Sequence, residues 1–309
     1  MIANVFSKTS PLNYLMISVI SIFFYSFYQF SRIDTEITIS ILLQKTVIMF
    51  LLTLSFIFVN IISQKNNLTK LNSYTLLLYS IFFILFPSIF NNPNVIIANL
   101  FVLLAVNKLF ALKNLKKSKQ KIFDASFWIL IASVFHFWCI LFLFLVFTAI
   151  LFHVGRDYKN WIIPFIALLS VAILLVLFQL VFSYDLQSMI YDNVSISFNF
   201  SYFETVYQNI ALALFASVAI FIFSTQTFEI NNKPLNLQGT YKKVVLMFVL
   251  AVLIYVLSNH KNNSFLIYSF VPLSILGANF IEKIQTYWMK EVTIYILIGI
   301  TVILFSLQL

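Results

Sequence analysis

Residues 127–152 read FWILIASVFHFWCILFLFLVFTAILF, apolar throughout except for Ser133, His136 and Thr148. The stretch admits two readings. It forms one long helix that crosses a membrane once, or two short helices folded back at Phe135-His136-Phe137-Trp138. The choice sets the side of the membrane on which every later loop falls.

The rest of the chain makes a membrane the right frame. Of its 309 residues 61% are hydrophobic and only 9% charged, with 37 Phe, and the mean hydropathy is +0.98. Apolar runs of about 20 residues recur along the whole length, each long enough to cross a bilayer core of roughly 30 Å. The period-two segments of a β-barrel are absent. The fold class expected is an all-α polytopic bundle, one transmembrane domain over residues 1–309. The candidate spans are 12–30, 41–63, 73–90, 94–112, 160–182, 206–225, 243–259, 264–281 and 292–309. The first lacks a small-residue cleavage signal after it and reads as a retained helix. The single Cys139 lies inside an apolar run, where it packs as a small hydrophobe.

Charge decides between the two readings, because Lys and Arg are retained on the cytoplasmic side in short loops. With Lys8 inside, the loop bearing Arg32 falls outside, Lys65 and Lys70 inside, and Lys113, Lys116, Lys117, Lys119 and Lys121 inside. A single crossing by 127–152 would then put Arg156, Lys159, Lys233, Lys242 and Lys243 outside. A fold-back puts all of them inside and leaves only Arg32, Lys45 and Lys261, of 19 basic residues, on the outer side. The expectation is therefore nine full spans plus one re-entrant or double short-helix hairpin at 127–152, with the N-terminus cytoplasmic and the C-terminus outside.

That orientation gathers the polar features of interest on one face. Asp34 and Glu36, in the sequence SRIDTEIT, are two carboxylates one residue apart beside Arg32. Such a pair can hold a divalent cation or act as general base on a hydroxyl, and it can equally be a solvated loop. The stretch SNHKNNS, residues 258–264, carries His260 and Lys261 at a surface where lysine is rare. Their cationic groups suit a lipid phosphate, while Asn and Lys also make ordinary turns. His136 sits at the hairpin tip between Trp128 and Trp138, as a packed core histidine or as a ligand contact. The outer segment 183–203, with Asp185 and Asp192, can cover a cavity or simply connect two spans.

Other chemistries find little support. The three His and one Cys do not have metal-site spacing, so no metal is assigned. There is no Gly-rich phosphate loop, and no organic cofactor is expected. The basic run 113–121 lies beside spans, where it reads as a signal for topology and lipid headgroups and not for nucleic acid. Four Gly and six Pro give little of the broken-helix pattern of transporters. The excess of Phe, Ile, Asn and Lys looks like a low-GC bacterial genome.

Three features together resemble the GT-C superfamily, integral-membrane glycosyltransferases that take sugars from polyprenyl-phosphate donors. They are the acid pair Asp34/Glu36 after the first span, the stretch KKSKQKIFDASFWILIASVFHFWCILFLFLVFTAILF, and the late HKNNSFLIYSFVPLSILGANF. The resemblance implies Asp34 as base, Glu36 as its auxiliary, and His260 with Lys261 as donor-phosphate contacts, with Arg32 and His136 as further substrate-binding residues. Residues 121–161, ending in the run that contains GRDYKNWIIP, also resemble an uncharacterised polytopic inner-membrane family of Bacteroidota. The function expected is that of a bacterial inner-membrane protein. Its partners are membrane lipids, among them a polyprenyl-phosphate-linked sugar. The alternatives are a non-catalytic subunit scaffolding other envelope proteins and a lipid or solute transporter.

Overall fold

The computed structural model describes residues 2–31, 39–182, 196, 198, 205–259 and 261–309. Among these residues every regular element is a helix. A short α1 (Ile2–Phe6) precedes α2 (Pro11–Ser31) and α3 (Ile39–Lys65), followed by α4 (Tyr74–Leu85) and α5 (Pro93–Phe110). Then come α6 (Ser118–Phe135), α7 (Leu143–His153), α8 (Lys159–Phe182), α9 (Val206–Phe228), α10 (Leu235–Leu257), α11 (Ile267–Lys283) and α12 (Tyr287–Leu307). Among the described residues eight helices are long and apolar enough to cross a bilayer: α2, α3, α5 with its extension to Asn114, and α8 to α12.

The ninth expected span, 73–90, is built from two pieces. Helix α4 ends at Phe86, whose φ of −123° and ψ of 74° leave the helical region. The cause is Pro87, whose ring crowds the backbone of the residue before it. A 3-10 helix, Pro87–Asn91, follows. Twelve α residues rise about 18 Å and five 3-10 residues about 10 Å, so together they still cover the depth of a bilayer.

The stretch 127–152 folds back. His136 breaks the helix in an extended conformation, φ −144° and ψ 104°, between α6 and a 3-10 helix, Phe137–Phe142, that leads into α7. Lys119 Nζ at the start of α6 lies 3.5 Å from Asp157 Oδ2, just beyond the end of α7. Both feet of the hairpin therefore stand on one side. Its tip reaches the other side, where His136 Nε2 meets Ser258 Oγ at the end of α10. At the feet, His153 lies against the first turns of α10, its Cε1 3.9 Å from a Cβ built on Gly239. Nineteen residues of α10 separate Gly239 from Ser258, a rise of about 28 Å. The leg from His136 to His153 thus runs most of the length of α10.

The remaining loops sort to the same two faces. On the first, the Ser73 N–H bonds Phe6 O, Glu282 Oε1 accepts from Lys70 N–H and Asn72 Nδ2, and Lys283 pairs with Glu229. This face also carries Lys108, paired with Asp124 at 2.7 Å, and the run 113–121. On the opposite face Asn263 Nδ2 bonds Gln208 O and Gln308 Nε2 bonds Leu85 O. Short α1 is tied to the first face by Glu291, whose Oε1 accepts from Ala3 N–H at 3.2 Å and Tyr287 Oη at 2.8 Å. The face rich in lysine is the cytoplasmic one by the positive-inside rule.

Helices α4 and α11 form the centre. Every residue of α4 is buried, and so is α11 from Ile267 to Asn279. Phe270 of α11 packs on Phe83 at 5.5 Å and stacks on Phe86 at 5.9 Å, while Phe82 meets Phe215 of α9 edge-on at 5.3 Å. A Cβ on Gly277 would lie 2.8 Å from Leu78 Cδ1, so glycine leaves room here for the end of the Leu78 side chain. Ser269 and Ser274 return their hydroxyl protons to carbonyls three residues back, which satisfies them without a partner helix. Helix α8, by contrast, is at the periphery, with only 17% of its span buried.

Candidate functional site

The face opposite the lysines holds a cluster built around the hairpin tip. Ser258 ends α10 as its C-cap and donates its hydroxyl proton to Ile254 O at 2.6 Å. Its remaining oxygen lone pairs face His136 Nε2 at 3.3 Å, so Nε2 carries the proton and donates. Nδ1 is then the acceptor, turned toward Cys139 Sγ at 3.7 Å. The imidazole is stacked between Phe265 (4.7 Å, 21°) and Tyr268 (5.5 Å, 12°) and is 7% exposed. It is a neutral ring held on both edges and both faces.

Lys261 shares the same serine. Its Nζ reaches Ser258 O at 3.4 Å, and the residue is 2% exposed. Burial holds its ammonium below the ordinary lysine pKa. The chain around it is fixed by Asn262, whose side chain accepts from Ser264 N–H at 3.2 Å and starts the 3-10 turn Asn263–Leu266. Close by in the fold, Trp138 Nε1, Tyr255 Oη and Asn263 Oδ1 are buried with no hydrogen-bond partner within the protein.

The cluster extends toward the end of α2. Asn92 Nδ2 donates to Ser264 Oγ at 2.8 Å. The adjacent Asn91 Nδ2 bonds Tyr28 Oη at 3.0 Å, and Gln29 Nε2 bonds Phe90 O at 3.2 Å. Helix α2 then ends at Ser31. Arg32, Asp34, Glu36 and His260 lie outside the described residues, as do Asp185 and Asp192. Helix α2 therefore ends on the face of His136 and Lys261. Among the described residues no three His, Cys, Asp or Glu side chains come together as metal ligands would.

The match to known families covers nearly all of this framework. The model of DUF6427, a family of unknown function, matches residues 1–308. The chain belongs to DUF6427. No curated protein and no solved structure matches it.

On the lysine face of this DUF6427 chain, Lys243, Lys121 and Lys233 have structural partners. Lys243, fully buried, donates to Leu109 O at 3.0 Å and lies 5.1 Å over the Phe110 ring. Lys121 Nζ donates to Ala111 O at 2.6 Å. Both neutralise the carbonyl end of α5, where the helix dipole is negative. Lys233 donates to Asn279 Oδ1 at 2.9 Å, its pKa lowered by burial first and by Lys283 second.

Ser258, Asn92, Ser264 and Cys139 were not singled out as site residues from sequence. Ser258 and Ser264 bound the SNHKNNS stretch, and Cys139 falls three residues after His136. The pairing of Ser258 with His136 spans 122 residues, and no local pattern announces it. Chemically, a buried ammonium beside N–H and O–H donors is matched to an anion.

Proposed function

We propose that this DUF6427 protein acts on a lipid-phosphate substrate at the face opposite its lysines. The reading is a bacterial inner-membrane sugar transferase of GT-C-like layout, with that face periplasmic. The observation that carries it is the continuous line of polar contacts from the end of α2, through Asn91, Asn92 and Ser264, to the chain segment holding Lys261 and His136. A phosphate is the anion a membrane supplies to a lysine at this face, and α2, which precedes the acid pair in sequence, ends where that line ends.

In this mechanism Asp34, seconded by Glu36, takes the proton of an acceptor hydroxyl. The freed oxygen attacks the anomeric carbon of the donor sugar. The bond from that carbon to the phosphate oxygen breaks, and the phosphate leaves with the electron pair. Lys261, with His260 and Arg32, offsets the negative charge that grows on it. His136 keeps the segment that carries Lys261 against the hairpin tip.

The test compares a deletion strain with strains carrying Asp34→Asn or Glu36→Gln. The expected result is that deletion and Asp34→Asn alter the same glycolipids or glycans. A profile changed by deletion but untouched by either substitution removes the acid pair from the chemistry. If the protein then co-purifies with a stoichiometric envelope partner, the scaffold role replaces the transferase.

A further inference from the structure

We infer that the turn between α5 and α6, residues 111–117, is a docking surface for anionic lipid headgroups, with Leu115 seated in the boundary layer of the bilayer. The inference concerns the lysine face and does not depend on the transferase reading.

The apolar span that contains α5 runs to Asn114, so the next residue stands at the membrane boundary. That residue is Leu115, and it is 59% exposed. Its backbone is in the left-handed region with φ 54°, and Lys117 follows with φ 52°. A leucine rarely adopts this conformation, because its Cβ crowds the following carbonyl. The turn is held there by Leu115 N–H on Leu112 O at 2.9 Å and Lys116 N–H on Asn114 O at 2.6 Å, and Leu112 itself is fully buried. A strained backbone thus turns an apolar side chain outward among lysines instead of inward.

The lysines of the run divide into two groups. Lys108 pairs with Asp124, Lys119 with Asp157, and Lys121 caps α5. Lys116 and Lys117 are exposed and Lys113 is half-buried, and among the described residues no carboxylate forms an ion pair with them. Neighbouring segments on this face add the exposed Arg156, Lys159 at the start of α8 and Lys242 in α10. The acid nearest to them in sequence, Asp157, is engaged by Lys119 and by Lys159 N–H at 3.0 Å. The exposed Tyr158 and the half-buried Trp161, whose Nε1 bonds Gly155 O, stand at the same depth, where aromatic residues border a bilayer. An apolar tip among outward-facing lysines at that depth fits the phosphates of anionic lipids, with the leucine below them.

The test uses the full-length protein in vesicles of phosphatidylcholine, with and without phosphatidylglycerol. Because Cys139 is fully buried, a nitroxide attached to a Leu115→Cys variant is selective. We expect the label to be reached by oxygen better than by a polar nickel chelate, and more so with phosphatidylglycerol. A label favouring the nickel chelate in both vesicles overturns the inference. Independently, Lys113→Gln, Lys116→Gln and Lys117→Gln together should lower the enrichment of co-purified phosphatidylglycerol about a hundredfold, since each lysine near an anionic surface is worth about fivefold. An equal loss from Lys65→Gln, Lys70→Gln and Lys290→Gln would mean that total charge and not this turn selects the lipid, and it too overturns the proposal.

Discussion

Replacing His136 separates packing from chemistry at the hairpin tip. His136→Ala removes two aromatic stacks, at 4.7 and 5.5 Å, worth about 0.5–1.5 kcal/mol each. It also removes the Nε2 hydrogen bond to Ser258, which at 3.3 Å is long and worth about 0.5–1 kcal/mol. The void left in a site only 7% exposed adds a cavity cost, giving a total of about 3–5 kcal/mol. His136→Phe keeps both stacks and loses only the polar edge. Ser258 Oγ retains its 2.6 Å bond to Ile254 O, so that variant should cost about 1 kcal/mol. The assay is thermal melting in detergent, where 1 kcal/mol corresponds to about 2–4 °C. Alanine should lower the midpoint at least three times as far as phenylalanine. Equal shifts would refute the claim that the imidazole is held mainly by its faces. A phenylalanine variant that melts normally yet loses the glycolipid product would instead assign a chemical task to a ring nitrogen.

Two other outcomes test the fold. Gly277→Ala should be tolerated within about 1 kcal/mol, because the atom it meets, Leu78 Cδ1, is a side-chain end beside a cavity of about 270 Å³. Gly277→Leu, branched against both Leu78 Cδ1 and Ile222 Cδ1, should force these side chains apart and lower the melting midpoint beyond the alanine variant. Topology reporters fused after Arg156 and after Lys233 should both read cytoplasmic, and a periplasmic signal at either would break the fold-back of α6 and α7.

The spans and the fold-back were legible because they follow from apolar run length and from lysine placement, both properties of sequence alone. The break at Phe86 was legible in principle, since Pro87 stands in the row, although the run 73–90 reads as one span. The interior was not legible. In water the apolar stripe of a helix marks its buried side, but in a bilayer lipid and protein are equally apolar. Hence α4 (YTLLLYSIFFIL) and α8 (KNWIIPFIALLSVAILLVLFQLVF) look alike in composition, yet the first is wholly buried and the second peripheral. The burial of Lys243 escaped notice for a related reason. Its partner is a backbone carbonyl at the end of α5, 134 residues away, and carbonyls leave no mark on a side-chain pattern. At the candidate site, Lys261 stood out by its side of the membrane, whereas its link to His136 through Ser258 is purely three-dimensional.

The enclosure of α4 also orders events in time. Its walls include Phe215, Phe270 and Gly277, which are synthesised more than a hundred residues after Phe82 and Leu78. Until α9 and α11 arrive, Leu78, Phe82 and Phe86 face lipid or provisional neighbours. Contacts of such long sequence separation form slowly. Assembly of this bundle is therefore completed from its C-terminal third, and the nascent chain spends most of its synthesis with its future centre on the outside.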